Sequence, residues 1–153
     1  MKNKEIIGVY QALSKMDYQG VKFSYFVAKN LSILGAEIDV IEKTIKASEA
    51  FAVYDQKRVA LAEKYAKKDA EGKPVVVNNA YQIEDQKAFD KEFDKIKKEN
   101  KSVLDARTKQ IEDYEKLLEE ESKVTPYKIK QENLPEDMKT FDLRSIFDLI
   151  EEK

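Results

Sequence analysis

The chemistry open to this chain is bounded by what its side chains lack. Of 153 residues none is histidine and none is cysteine. That removes the imidazole base, the thiolate nucleophile and every Ser–His–Asp or Cys–His pairing. Thirty residues are acidic, but acid–base work needs a carboxylate held in apolar surroundings that raise its pKa. Here the acids alternate with lysines along amphipathic stretches, which is the pattern of a solvated face. Ser14–Lys15 and Ser122–Lys123 are adjacent pairs, and neighbours on a helix do not face each other. Asp69, Glu71 and Gly72 carry a faint flavour of a calcium loop without its ligand spacing or terminal Glu. No glycine-rich phosphate loop occurs. These absences predict a protein that is not an enzyme, with no catalytic residues, no cofactor and no metal.

One segment stands out as a binding candidate. Residues 20–30, Gly-Val-Lys-Phe-Ser-Tyr-Phe-Val-Ala-Lys-Asn, form the densest aromatic stretch. At 100° per residue, Val27, Leu31 and Leu34 define a core face, and Lys22, Phe26, Lys29 and Ile33 lie nearly opposite, with Tyr25 beside them. The segment is therefore apolar on more than one side. Either another helix covers the second side and buries Phe26, or Lys22 and Lys29 hold an anion while Tyr25 or Phe26 stacks on a base or on a partner's aromatic ring. The binding reading names Lys22, Tyr25, Phe26 and Lys29, with a protein or a small anionic ligand as the partner.

The elements that must position these residues follow from periodicity. Residues 4–16 read as a short helix that Asn3 can cap. From residue 21 a heptad seam runs through Val27, Leu31, Leu34, Ile38, Ile41 and Ile45, weakening as far as residue 66, with a break near Ala47–Ser48 as an alternative to one unbroken helix. Residues 74–83 hold two apolar runs around Asn78–Asn79 and read as a β-hairpin. Asp85 can cap a second long helix over 86–121, whose acidic end at Glu119–Glu121 runs against the helix dipole and should fray. The predicted fold is mainly α: a long antiparallel, coiled-coil-like helical hairpin over residues 1–123 with the small β-hairpin as its connection. A tail over 124–153 follows, with a short strand at 124–129 and a last helix capped by Thr140 and bearing Leu143, Ile146, Phe147 and Ile150 on one face.

Charged residues make up 38% of the chain, well above the roughly 25% of ordinary globular proteins, which suits long helices exposed on one side. Net charge is −2, mildly basic in the first 70 residues and mildly acidic after them. That balance argues against a nucleic-acid partner. No apolar run matches a signal peptide or a membrane span. The wide seam, with Asn100 as a register-setting polar position, predicts a homo-oligomer.

Three stretches in order, 20–30, 62–74 (Ala-Glu-Lys-Tyr-Ala-Lys-Lys-Asp-Ala-Glu-Gly-Lys-Pro) and 127–137 (Tyr-Lys-Ile-Lys-Gln-Glu-Asn-Leu-Pro-Glu-Asp), resemble a family of small bacteriophage and prophage proteins of about 150 residues and unknown function. The resemblance implies a phage origin and a place in the cytoplasm of the infected bacterial host; it brings no catalytic residues. The function expected is sequestration or inhibition of a host component, either a defence protein or its signalling nucleotide. Two alternatives stand beside it: a scaffold-like role in virion assembly, and an accessory role in phage DNA replication or recombination, for which the lysines at 91, 95, 97, 98 and 101 supply the motive.

Overall fold

Both long apolar patterns break where a polar side chain is available to start or end a helix. In the computed structural model, which describes residues 1–151, the first pattern is two helices, α2 (Val21–Ile45) and α3 (Glu49–Lys64). Ser48 stands between them as an N-cap, its hydroxyl accepting from Phe51 N–H at 3.2 Å. The second pattern divides into α4 (Gln86–Glu99) and α5 (Lys101–Glu119) at Asn100. There the Asn100 amide donates to Ile96 O at 2.8 Å, closing its own helix. Within this chain its amide thus serves the end of α4. With α1 (Asn3–Leu13), α6 (Thr140–Ser145) and a two-stranded antiparallel sheet, β1 (Val76–Val77) with β2 (Ala80–Tyr81), the fold is mainly α with a small β-hairpin, as the periodicity predicts.

The chain divides into two compact units, and the division differs from the predicted one at residue 123. The first unit joins Met1–Ile45 to the chain from Glu112 onward, and the second is Lys46–Ile111. The tail is not an appendage, because Ile129, Ile146 and Leu149 are core residues of the first unit.

In the first unit the buried stripe of α2 is Phe23, Phe26, Asn30, Leu34, Ile38 and Ile41. It is rotated from the expected seam, and Val27 and Leu31 flank it half-buried. The rotation follows from which elements cover the helix. Ile6 and Leu13 of α1 join one part of the core and the tail joins another, so the two largest side chains, Phe23 and Phe26, take the centre. Each buried phenylalanine contributes about 2–3 kcal/mol of apolar transfer. α1 comes close to α2 at Gly35, where a Cβ would stand 3.3 Å from Tyr10 Cε2.

Asn3 does not cap α1. It is the first helical residue, and its amide Nδ2 donates to Leu117 O at 2.8 Å while its backbone N–H donates to Glu120 O at 3.0 Å. Both acceptors are carbonyls at the end of α5, where helical partners run out. The acidic end expected to fray is thus held by the chain's beginning. The Met1 ammonium meets Glu121 at 2.8 Å, and Lys2 and Lys4 reach Glu119 at 2.9 and 2.6 Å.

In the second unit α3 runs antiparallel to α4 and the start of α5, since partner numbers climb as α3 numbers fall. Tyr65 and Lys64 bond Glu92 at 2.7 and 3.0 Å, the Arg107 guanidinium stands over the Phe51 ring, and Gln110 Nε2 donates to Lys46 O at 3.0 Å. The connection is the β-hairpin, turned by Asn78 and Asn79 at φ of 50° and 62°. Residues 66–68 flank it, bridging to Pro74 on one side and Ile83 on the other. Asp69 Oδ1 is occupied by the N–H groups of Glu71 and Lys73, both at 2.9 Å. That is a turn satisfied from within.

The predicted last helix is also corrected. Thr140 is its first residue and not its cap. The helix ends at Ser145, and a 3₁₀ turn, Phe147–Leu149, buries Ile146 and Leu149 while leaving Phe147 67% exposed. The cap comes from Tyr18, whose hydroxyl accepts from Lys139 N–H at 3.0 Å and donates to Asp142 Oδ2. A phenol thus bridges the N-cap amide and the carboxylate three residues on, groups that a capping box joins directly. The Asp142 bond raises the Tyr18 pKa. The expected strand at 124–129 is an extended run whose one bridge is Ile129 to Ile150, in parallel.

Candidate functional site

Of the four residues that spacing marks on α2, one stands apart from the other three. Phe26 is wholly buried in the core of the first unit, its ring 5.7 Å from that of Phe23. A side chain with no accessible surface offers no stacking face, so Phe26 leaves the constellation and belongs to packing. Lys22, Tyr25 and Lys29 are exposed. They stand three and four residues apart, which places them in one row along the helix.

A residue that helical periodicity did not single out joins them. The ring of Tyr127 meets that of Tyr25 edge-on, with centroids 5.7 Å apart and planes at 87°. The two tyrosines remain 56% and 43% exposed, so the pair keeps an open aromatic surface. Edge-to-face pairs at this spacing hold their rings in defined orientations. The backbone beneath is fixed as well. Asn30, completely buried one turn below, donates from Nδ2 to Tyr127 O at 2.9 Å and accepts at Oδ1 from Tyr127 N–H at 2.9 Å. The amide pairs with one peptide unit on both sides, as a neighbouring strand would. Its second Nδ2 hydrogen goes to Phe26 O at 3.1 Å.

The cations of the row differ in their ties. Lys22 Nζ donates to Asn133 Oδ1 at 3.0 Å, a neutral partner that leaves its charge uncompensated. Lys29 has no ion-pair partner among the described residues. The arrangement is an aromatic pair with two cations along it. It can stack a planar group and neutralise an anion, and it holds no nucleophile–base pair.

A second feature of the same unit is a cleft of about 520 Å³ at the tail, floored by Leu134, Leu143, Phe147 and Ile150 and edged by Lys128, Gln131, Asp148 and Glu151. Elsewhere the carboxylates with shifted pKa values all move down. Hydrogen bonds from Tyr65 and Lys64 lower Glu92, and Lys97 lowers Asp94. Lys4 and Lys2 lower Glu119, and the terminal ammonium lowers Glu121. This is the direction away from a general acid working near neutrality. Among the described residues no cluster of three or more acids is placed to hold a metal ion, and no helix is long and apolar enough to cross a membrane.

Tyr127 was within reach of the sequence only as part of the 127–137 stretch. Its neighbour in space, Tyr25, is about a hundred residues away in the chain, and no local pattern joins them. No family model matches the chain, and no curated protein and no solved structure matches it either.

Proposed function

We propose that this is a non-enzymatic binding protein of phage origin that sequesters or blocks a component of its bacterial host. The observation that carries the reading is the exposed Tyr25–Tyr127 pair, set on a buried asparagine clamp and flanked by Lys22 and Lys29. Large aromatic side chains left open on a rigid support are recognition groups, because they contribute contact area at low entropic cost. The two cations favour an anionic partner, either a nucleotide whose base stacks on a tyrosine or an acidic patch of a host protein. The host cytoplasm is the compartment this reading assigns, and the resemblance to phage proteins supports the origin.

The test compares the wild type with a Tyr25→Ala/Lys29→Glu variant. Both are titrated calorimetrically with a panel of linear and cyclic nucleotides, and both are used for affinity capture from a bacterial lysate. Both replaced side chains are exposed, so the variant keeps its fold. The expected result is a component bound by the wild type and bound at least tenfold more weakly by the variant. Equal binding by both proteins, or nothing bound by either, overturns the proposal.

A further inference from the structure

We infer that the tail cleft is the docking site for Phe141 of a second copy of this chain, with the exchange reciprocal. The cleft presents an apolar floor of Leu134, Leu143, Phe147 and Ile150, and its rim carries two acids, Asp148 and Glu151, against the single cation Lys128. It therefore selects an apolar side chain that arrives beside positive charge. The same chain displays that combination. Phe141 is 80% exposed on α6, and it does not line its own cleft. Arg144 follows three residues on, along the same face of α6, and Lys139 precedes it at the N-cap, while the carboxylate of Asp142, next to Phe141, is turned aside to accept from the Tyr18 hydroxyl. Lys139, Arg144, Asp148 and Glu151 form no ion pair with one another or with any other described residue.

Knob and hole share one element, since α6 bears Phe141 on one side and, two residues on and so on another side of the helix, contributes Leu143 to the cleft wall. Complementary features on one element allow two copies to meet about a twofold axis, each inserting its phenylalanine into the other, and the contact then closes as a dimer and does not propagate. Arg144 of each copy would face the acidic rim of its mate, and the exposed ring of Phe147 would pack on the incoming Phe141. This contact does not involve the Tyr25–Tyr127 pair.

Sedimentation equilibrium of the full chain over a concentration series tests the inference. The wild-type mass should rise from 17.7 kDa towards twice that value. Phe141→Ser, at an exposed position that leaves the helical circular-dichroism spectrum unchanged, should weaken association by about a hundredfold. Arg144→Asp and Asp148→Arg should each weaken it by about tenfold, and the two together in one chain should restore it. Restoration separates a charge pair between copies from any structural role of either residue. A wild type that stays monomeric throughout, a Phe141→Ser variant that associates as well as the wild type, or an exchanged double variant no stronger than its single parents overturns the inference.

Discussion

Asn30 is the one polar side chain with no exposed surface in the core of the first unit, and all of its hydrogen-bonding capacity directed at the tail is spent on Tyr127. An amide with no exposed surface is tolerated because it is satisfied, and it is needed because it replaces a strand partner that the tail lacks. Asn30→Ala should leave the Tyr127 N–H and C=O without that partner and cost about 1–3 kcal/mol in urea unfolding. Asn30→Asp, which loses both Nδ2 donors and buries a charge, should cost more. The site is only partly legible in the sequence. Lys22, Tyr25 and Lys29 were legible because spacing alone puts them in a row. Phe26 falls to the burial alternative and not to the binding one, a choice that is decided by α1 and the tail and that no property of α2 itself reports. Tyr127 and the Tyr18 bridge to Asp142 depend on long-range contacts, for which a single sequence carries no periodic signal.

At the scale of elements, local chemistry was a reliable guide wherever the deciding residues are adjacent in the chain. Asn78–Asn79 was read as a turn because asparagine tolerates positive φ, and both residues adopt it. Asn79→Val should therefore cost about 1–2 kcal/mol, since a β-branched residue is strained there, and Asn79→Gly should match or exceed the wild type; chemical unfolding midpoints distinguish them. Asp85 caps α4 as expected, accepting from Ala88 N–H at 3.0 Å. The error at the end of α5 was of another kind. Three consecutive glutamates oppose the dipole locally, but the chain's first residues bring an ammonium and two lysines to them. The pKa values of Glu119 and Glu121 lie below the ordinary 4.5, lowered by Lys4 and Lys2 and by the terminal ammonium respectively. A depressed folded-state pKa gives stability that is complete above the unfolded value and is lost as pH falls through the folded one. Thermal melts from pH 7 downward should hold their midpoint until the region below 4.5 and then drop. A Lys2→Met/Lys4→Met variant should show a shallower fall over that window, because Glu119 then titrates near its unfolded value in both states.

The two units differ in how much they bury. The first contains Phe23, Phe26, Leu34, Ile146 and Leu149 at 2% exposure or less, whereas the buried apolar residues of the second are Tyr54, Leu61 and Ala66. Its helices are joined by half-covered aromatic rings and surface ion pairs, which contribute little each. Amide exchange should therefore run faster through α3 and α4 than through α2, with the slowest amides around Phe26–Leu34. That contrast was not legible beforehand, because the apolar repeats of the two long segments look alike until their partners are known. It also places the proposed recognition surface on the better-packed unit, where Tyr25 and Tyr127 are held without help from a ligand. The most direct test of that surface is a ¹H–¹⁵N spectrum of the labelled protein as the captured host component is added. Shifts should gather at Lys22, Tyr25, Lys29 and Tyr127 and their immediate neighbours. Shifts confined to Lys46–Ile111, or an unchanged spectrum at saturating component, would contradict it.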